Sequence, residues 1–232
     1  MTQPLTRPVQ EEVPPLENGE HLDQPTFHAR YEAMPPDTRA ELIEGVVYMP
    51  SPVCWNHSST HDDAAYWLTT YRRATPGTHT GVTPTCIIGM TFEPQPDQAL
   101  FVLEGFGGQS RRRGNYLAGA PELIVEIALS TVSIDLHRKR AEYERHGVKE
   151  YVVVVLRPRG IIWHTRQEDS FVELAAGEDG IIRSVVFPGL WLDGAALLAE
   201  DLERVLAVLQ LGLGTPTHAA FVAELARRKA NP

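Results

Sequence analysis

Cysteine is scarce in this sequence, and long apolar runs are missing. The 232 residues contain two cysteines, Cys54 and Cys86, which are too few for a disulfide framework. No apolar run reaches the roughly 18 residues that cross a bilayer, and no apolar signal core follows the first residues. We therefore expect a soluble, cytoplasmic protein that has no membrane partner.

A basic excess is also lacking. The formal net charge is −9, whereas proteins that bind duplex DNA tightly usually carry a basic balance or a basic stripe. Basic residues instead form three short clusters, at Arg111–Arg113, Arg138–Arg140 and Arg227–Lys229. The charge counts against tight, non-specific binding of nucleic acid, although carboxylates that bind a metal ion would themselves add negative charge.

The sequence does contain enough apolar material for a globular domain. Hydrophobic residues make up 43% and charged residues 22%, which favours a packed core over disorder. Residues 1–25 are polar and aperiodic and predict an N-terminal arm with little structure of its own. Residues 26–192 predict an α/β domain with a mixed central β-sheet flanked by helices. Residues 193–232 predict a C-terminal helical extension, in which an apolar stripe over 197–211 would either cap the domain or build a homodimer interface.

Local patterns define several elements of the α/β domain. β-branched residues predict strands over residues 78–88 and 181–187, and a nearly pure valine strand over residues 151–156. Helical spacing predicts a helix over residues 134–146. Strands on both sides of this helix are what a mixed sheet requires.

Glu126 interrupts the apolar segment Leu123–Leu129. An unpaired charge inside a sheet costs several kcal/mol even after relaxation, so a compensating group is needed. Strand alternation places Ile124, Glu126 and Ala128 on one face. A metal ion or a positive side chain would compensate Glu126; alternatively, this residue lies at an exposed edge of the sheet.

Asp97 is a second candidate for chemistry, since it opens the apolar segment 99–103 directly after Pro96. Proline is tolerated at the start of a strand because no ladder donor is lost there. An aspartate after proline is also ordinary turn chemistry, so this position alone does not distinguish a ligand from a turn residue.

The helix that follows Glu126 carries polar residues on one face. Asp135, Lys139, Glu142 and His146 recur at spacings of four, three and four. Asp135 and Lys139 would form an exposed ion pair, unless Lys139 points back to the sheet and takes part in a site.

A different site is suggested by His57 and His61, which lie one helical turn apart and next to Asp62 and Asp63. This spacing can bind zinc. The alternative is the polar start of a helix, with Asn56 near its cap.

Three segments contain specific residue types at fixed spacing within residues 26–192. They are Glu41–Gly45 with Met49–Pro52 and His57, then Pro96 with Asp97, and finally Ala120–Ile127 with Ser130, Thr131, Asp135, Lys139, Tyr143, Gly147, Val148, Glu150 and Tyr151. The third segment is the most specific. Together they resemble the Uma family of putative restriction endonucleases, which belongs to the PD-(D/E)XK nuclease superfamily.

The resemblance implies a restriction-endonuclease-like core and Mg²⁺-dependent hydrolysis of phosphodiester bonds in DNA. In that superfamily a strand Asp and a strand Glu bind Mg²⁺, or Mn²⁺ in its place, and these roles would fall to Asp97 and Glu126. The usual lysine lies two residues after the Glu, where this chain has Ala128. Lys139, on the next helix, would take its place beside the attacking water. Glu41 would be a further acidic group that orients water or a second ion.

The chain also departs from the family pattern. The loop after Glu126 lacks the proline common in the family, and Val152 and Val155 stand where the family usually has Trp and Asp. These departures support a second hypothesis, a catalytically inactive binding or regulatory protein on a nuclease fold. The third hypothesis is a zinc hydrolase that uses His57 and His61.

Overall fold

The computed structural model of the protein describes residues 13–49, 55–129 and 131–230. Within this part, the strands in chain order are β1 (Glu41–Ile43), β2 (Val46–Tyr48), β3 (Thr78–Val82), β4 (Cys86–Ile87), β5 (Gln98–Val102), β6 (Arg111–Arg113), β7 (Tyr116–Ala118), β8 (Leu123–Ala128), β9 (Glu150–Leu156), β10 (Arg159–Gln167), β11 (Ser170–Glu173), β12 (Ile181–Arg183) and β13 (Trp191–Asp193). The helices are α1 (Gln24–Glu32), α2 (Trp55–Ala74), α3 (Arg140–Arg145), α4 (Gly194–Leu198), α5 (Leu202–Leu213) and α6 (Pro216–Ala230), with a 3-10 turn at Glu104–Phe106 and a π-helix at Ile134–Lys139.

Six strands form the central sheet, in the spatial order β11-β10-β9-β8-β5-β3. β8 and β9 are parallel, and the other neighbours are antiparallel. The mixed α/β sheet that the sequence predicts is therefore confirmed. β9 contains four consecutive valines, and all its residues are buried because both faces of the sheet are covered.

Side chains alternate between two apolar cores on the two faces of the sheet. Val125 and Ile127 of β8 pack on the side of α2 and the C-terminal helices. Ile124 and Ala128 pack on the opposite side, with Tyr143 among their neighbours. Strand alternation places Glu126 on this second side, in an otherwise apolar surrounding.

The start of the chain differs from the expected arm over residues 1–25. Residues 1–12 lie outside the described part, but the residues that follow are packed against the β1–β2 hairpin. Leu16 is buried, the Gly19 backbone NH donates to the Val47 carbonyl at 2.8 Å, and the Val47 NH donates to the Glu20 carbonyl at 2.8 Å. These hydrogen bonds extend the small sheet, so residues 13–25 are an integral part of the fold.

The C-terminal helices cap the domain. Val205, Leu209 and Leu225 are buried in the same core as Trp67 of α2. The indole NH of Trp67 donates to the Trp191 carbonyl at 3.0 Å, which ties α2 to the segment before α4. The inner residues of the predicted apolar stripe therefore cap the domain, which is the first of the two alternatives for this segment. Within the described residues no helix alone could span a membrane, and only the pair α5 and α6, bent by 69°, has the required length and composition.

Two predicted strands are shorter in the structure. The strand expected over residues 78–88 is divided into β3 and β4, which belong to different sheets, because Thr83 adopts a φ of 45° before Pro84. The strand expected over residues 181–187 ends at Arg183. Beyond this point the chain turns towards Glu150, whose carboxylate accepts hydrogen bonds from it.

Glu150 should make the stability of the fold dependent on pH. Burial raises the pKa of this carboxyl from 4.5 to about 7, although hydrogen bonds from Ser184 and the backbone NH groups of Val185 and Val186 oppose the rise. The folded state holds the Glu150 proton more tightly than the unfolded state. The contribution of Glu150 to the free energy of unfolding is therefore complete below pH 4.5 and is lost as the pH rises to about 7. One pKa unit corresponds to ~1.4 kcal/mol, so we expect Glu150 to contribute a loss of ~3 kcal/mol. In urea unfolding from pH 4 to pH 8, Glu150→Gln should lose less stability than the wild type; parallel curves would contradict this assignment.

Candidate active site

Asp97 and Glu126 are brought together by strand pairing. β5 runs antiparallel to β8 with Gln98 opposite Val125, so Asp97, one residue before β5, lies beside Glu126. The Asp97 backbone NH is 3.4 Å from Glu126 Oε2, and Asp97 Oδ2 accepts a hydrogen bond from the Ile127 NH at 2.7 Å. Two carboxylates from neighbouring strands therefore share one end of the sheet.

Lys139 supplies the positive side chain that Glu126 requires. Its ammonium lies 3.1 Å from Glu126 Oε1, 2.9 Å from Glu41 Oε1 and 3.8 Å from Asp135 Oδ1. Glu126 is 3% exposed and Lys139 is 5% exposed, so the pair is inside the protein. The positive side chain that the sequence predicts near Glu126 is therefore Lys139. The ion pair of Lys139 with Asp135 is buried and not exposed.

The π-helix sets the direction of Lys139. It spans Ile134–Lys139, and its Asp135 and Lys139 are both buried. Asp135 accepts a hydrogen bond from Thr131 Oγ1 at 2.5 Å, and its backbone carbonyl accepts one from the Tyr151 hydroxyl at 2.9 Å. Single-turn π-helices within longer helices are frequent at functional sites. The sequence predicts one regular helix here and therefore misses this turn.

Glu41 reaches the site from β1. Its Oε1 accepts a hydrogen bond from the Gln95 NH at 2.7 Å as well as from Lys139. The turn between β1 and β2 consists of Glu44 and Gly45, with φ angles of 53° and 76°. These angles match the two-residue turns that fit twisted hairpins, so the hairpin holds Glu41 on the side of the site.

Tyr143 is a site residue to which the sequence assigns no role. Its hydroxyl donates to Glu126 Oε1 at 3.0 Å, and its side chain is completely buried. Its position four residues after Lys139, on the same face of the helix, could have indicated from the sequence that Tyr143 lies near the site. With two donors on Oε1, Glu126 leaves Oε2 as its freer oxygen.

The two histidines of α2 face Asp97. His57 Nε2 lies 3.4 Å from Asp97 Oδ2, and His61 Nε2 lies 3.8 Å from Oδ1. The hydrogen bond to Asp97 raises the pKa of His57 against the opposing effect of burial. Burial alone would raise the pKa of Asp97, but the hydrogen bond and charge of His57 bring it below its usual value. Asp97 is therefore held as a carboxylate.

The site contains more negative than positive charge. Burial raises the pKa of Glu126 well above its usual value, and the nearby charges of Asp135, Asp97 and Glu41 raise it further, while Lys139 lowers it. Burial disfavours the charged form of Lys139, but the surrounding carboxylates outweigh this effect and raise its pKa. A divalent cation near the free oxygens would reduce this excess of negative charge.

The donor set fits a hard cation better than zinc. Magnesium prefers carboxylate oxygens and keeps several waters, so one or two carboxylates suffice, and Asp97 and Glu126 each have an oxygen with few partners. Within the three described ranges, no three His, Cys, Asp or Glu side chains are arranged to hold one metal ion. Catalytic zinc sites use three protein ligands. Asp97 faces His57 and His61, but these three are not arranged to hold one ion. The third hypothesis thus lacks a three-ligand site in this part of the chain.

The sheet, with its paired strand carboxylates and nearby lysine, defines a restriction-endonuclease-like fold. The family profile described as "Putative restriction endonuclease" (Uma2) matches residues 25–197. The chain belongs to the Uma2 family, as the sequence resemblance predicts. Residues 50–54 and 130 of the matching segments lie outside the described part of the chain.

A solved structure has the same fold. The crystal structure of a putative nuclease belonging to DUF820 from Anabaena variabilis ATCC 29413 superposes with a TM-score of 0.58 over 74% of this chain and 97% of that chain, at 14% sequence identity. No curated protein matches the chain. At this identity the likeness shows the fold alone, and it confirms the predicted fold class.

Proposed function

We propose that this protein is a metal-dependent endonuclease that hydrolyses phosphodiester bonds of DNA at the site formed by Asp97, Glu126, Lys139 and Glu41. The observation that carries the proposal is the placement of Asp97 beside Glu126, with the Lys139 ammonium 3.1 Å from Glu126 Oε1. Two adjacent carboxylates could hold a divalent cation, and a nearby lysine could stabilise negative charge that develops on a phosphate during hydrolysis.

Asp97 and Glu126 would hold Mg²⁺, or Mn²⁺ in its place. When bound, the ion would lower the pKa of a coordinated water and neutralise charge that develops on the phosphate. His57 keeps Asp97 ionised and holds one of its oxygens, while the Ile127 NH holds the same oxygen from the strand. The other oxygen, Oδ1, lies 3.8 Å from His61 Nε2, beyond hydrogen-bond distance, and would be available to the ion.

Lys139 would do the work of the lysine that the superfamily usually carries two residues after the Glu. Its ammonium lies 3.1 Å from Glu126 Oε1 and 2.9 Å from Glu41 Oε1, and so it holds the two carboxylates relative to each other. Its positive charge would stabilise the negative charge of the pentacoordinate phosphorus. Glu41 would orient the attacking water, since its hydrogen bond to the Gln95 NH fixes it at the edge of the site.

Calorimetric titration of Mg²⁺ and Mn²⁺ tests the metal site. We expect the wild type to bind either ion and Asp97→Ala to bind it roughly tenfold more weakly or not at all, because one of two carboxylate ligands is lost. Asp62→Ala is the matched control, since Asp62 is an exposed aspartate on α2 and is not in contact with the site. Equal binding by the wild type and Asp97→Ala would contradict the assignment of Asp97.

A further inference from the structure

The β6–β7 hairpin exposes three consecutive arginines. Arg111, Arg112 and Arg113 form an edge strand of the small sheet β4-β7-β6, and all three are exposed. None of them forms an ion pair with a carboxylate in the described part of the chain; Arg112 Nε donates to the Gly114 carbonyl at 2.9 Å, within the hairpin itself. We refer to residues 111–116 as the arginine hairpin.

The basic cluster at the end of α6 is partly compensated by one neighbouring carboxylate. Arg227 and Arg228, at the end of α6, both pair with Glu224, at 3.0 and 3.1 Å. In a chain with a net charge of −9, three exposed and unpaired guanidinium groups on one short strand are a local concentration of positive charge. Such a concentration attracts polyanions even when the whole protein is acidic.

A short series of hydrogen bonds connects the arginine hairpin to the candidate active site. The Leu117 NH donates to the Thr85 carbonyl at 3.1 Å, and Gln95 Nε2 donates to Thr85 Oγ1 at 3.0 Å. The backbone NH of the same Gln95 donates to Glu41 at 2.7 Å. The hairpin is therefore linked through Thr85 and Gln95 to Glu41, one of the carboxylates of the candidate site.

We propose that the arginine hairpin binds the phosphodiester backbone of duplex DNA and holds it beside Asp97 and Glu126. The proposal rests on the proposed function and names the element that recognises its substrate. Arginine is suited to this task because its planar guanidinium can donate two parallel hydrogen bonds to a phosphate and stays charged at any physiological pH. Binding through phosphates would be independent of base sequence and strongly dependent on salt.

Fluorescence anisotropy of a labelled DNA duplex, measured in EDTA so that no cleavage occurs, tests the proposal. Arg111→Gln/Arg112→Gln/Arg113→Gln should bind at least about tenfold more weakly than the wild type at low salt. The slope of log affinity against log salt should decrease by about 0.9 for each phosphate contact that is lost. Arg227→Gln/Arg228→Gln/Lys229→Gln removes the same formal charge elsewhere and should keep the affinity and slope close to those of the wild type.

Arg111→Lys/Arg112→Lys/Arg113→Lys should retain most of the salt slope, because the charges remain. Equal losses in the hairpin variant and in the α6 control would overturn the proposal, as would unchanged affinity in the hairpin variant or no binding by the wild type. Charged edge strands also prevent edge-to-edge association, and a hairpin variant that aggregates while binding DNA normally would assign the arginines to that role instead. Cleavage is measured separately with Mg²⁺, so hairpin-dependent binding without cleavage would refute the proposed function alone.

Discussion

Glu126→Gln should remove Mg²⁺-dependent DNA cleavage while leaving the protein at least as stable as the wild type. Glutamine has nearly the same shape, but it lacks the negative charge that would hold the ion, and we expect a loss of rate of roughly 100- to 1,000-fold or more. Stability should be maintained or increased, because burial and the neighbouring carboxylates raise the pKa of Glu126 and thus disfavour its charged form. Loss of activity together with retained stability distinguishes a catalytic role from a structural one.

The measurement is single-turnover cleavage of plasmid DNA with Mg²⁺ or Mn²⁺, together with urea unfolding of the same preparations. Glu150→Gln is the matched control, since it replaces another buried glutamate on the neighbouring strand β9, whose carboxylate binds the segment after β12 and not the site. Cleavage by Glu126→Gln at the wild-type rate would refute the proposed function. No cleavage by the wild type under any of these conditions would favour the inactive binding protein considered above.

Lys139→Met should be the most destabilising single substitution at the site. It removes the cation that lies within 4 Å of Glu41, Glu126 and Asp135 and leaves these carboxylates without compensation. Breaking a buried ion pair from one side costs about 3–5 kcal/mol, a large part of the ~5–15 kcal/mol that stabilises a typical domain. We therefore expect a marked loss of stability at pH 8, measured by urea unfolding.

The loss in Lys139→Met should depend on pH in a defined direction. Without Lys139 the pKa of Glu126 in the folded state rises further above its ordinary value of 4.5, so the folded protein binds protons more tightly than the unfolded one. Stability should thus be regained as the pH falls through the folded-state pKa towards 4.5. Adding Glu126→Gln to Lys139→Met should restore part of the stability at pH 8.

Lys149→Met is the control for this comparison, since Lys149 is partly exposed and its ammonium lies 3.9 Å from Glu122, away from the site. Glu122 is buried, but its carboxylate also accepts hydrogen bonds from the backbone NH groups of Val102 and Gln109. It therefore keeps partners when Lys149 is lost, and this change should cost clearly less than Lys139→Met. If Lys139→Met and Lys149→Met were equally stable at pH 8, Lys139 would not be the compensating charge of the carboxylate cluster.

In the proposed site, Lys139 would take the role of the superfamily's lysine from a different element. Ala128, two residues after Glu126, packs in the apolar core on the same side of the sheet. The lysine instead comes from the π-helix of the following segment and reaches the same carboxylate. If the proposed function holds, the ammonium group beside Glu126 would come from a different backbone position than the superfamily usually uses.

Local patterns in the sequence were sufficient for most of the sheet and for the choice of candidate residues. The valine strand β9 and the alternation around Glu126 depend on neighbours in the chain, because burial on both faces or on one face of a sheet follows from side-chain periodicity. The cost of an unpaired buried carboxylate likewise follows from composition alone, so a compensating partner for Glu126 was predictable.

Which residue compensates Glu126 was decided only by the tertiary structure. Glu41, Asp97 and Lys139 come from a hairpin, a strand start and a π-helix, and their distances depend on strand order, register and the direction of one helical turn. The contact of the Tyr143 hydroxyl with Glu126 has the same origin. Local propensity carries no information about such long-range contacts, because they arise when separate elements bury their apolar faces against each other.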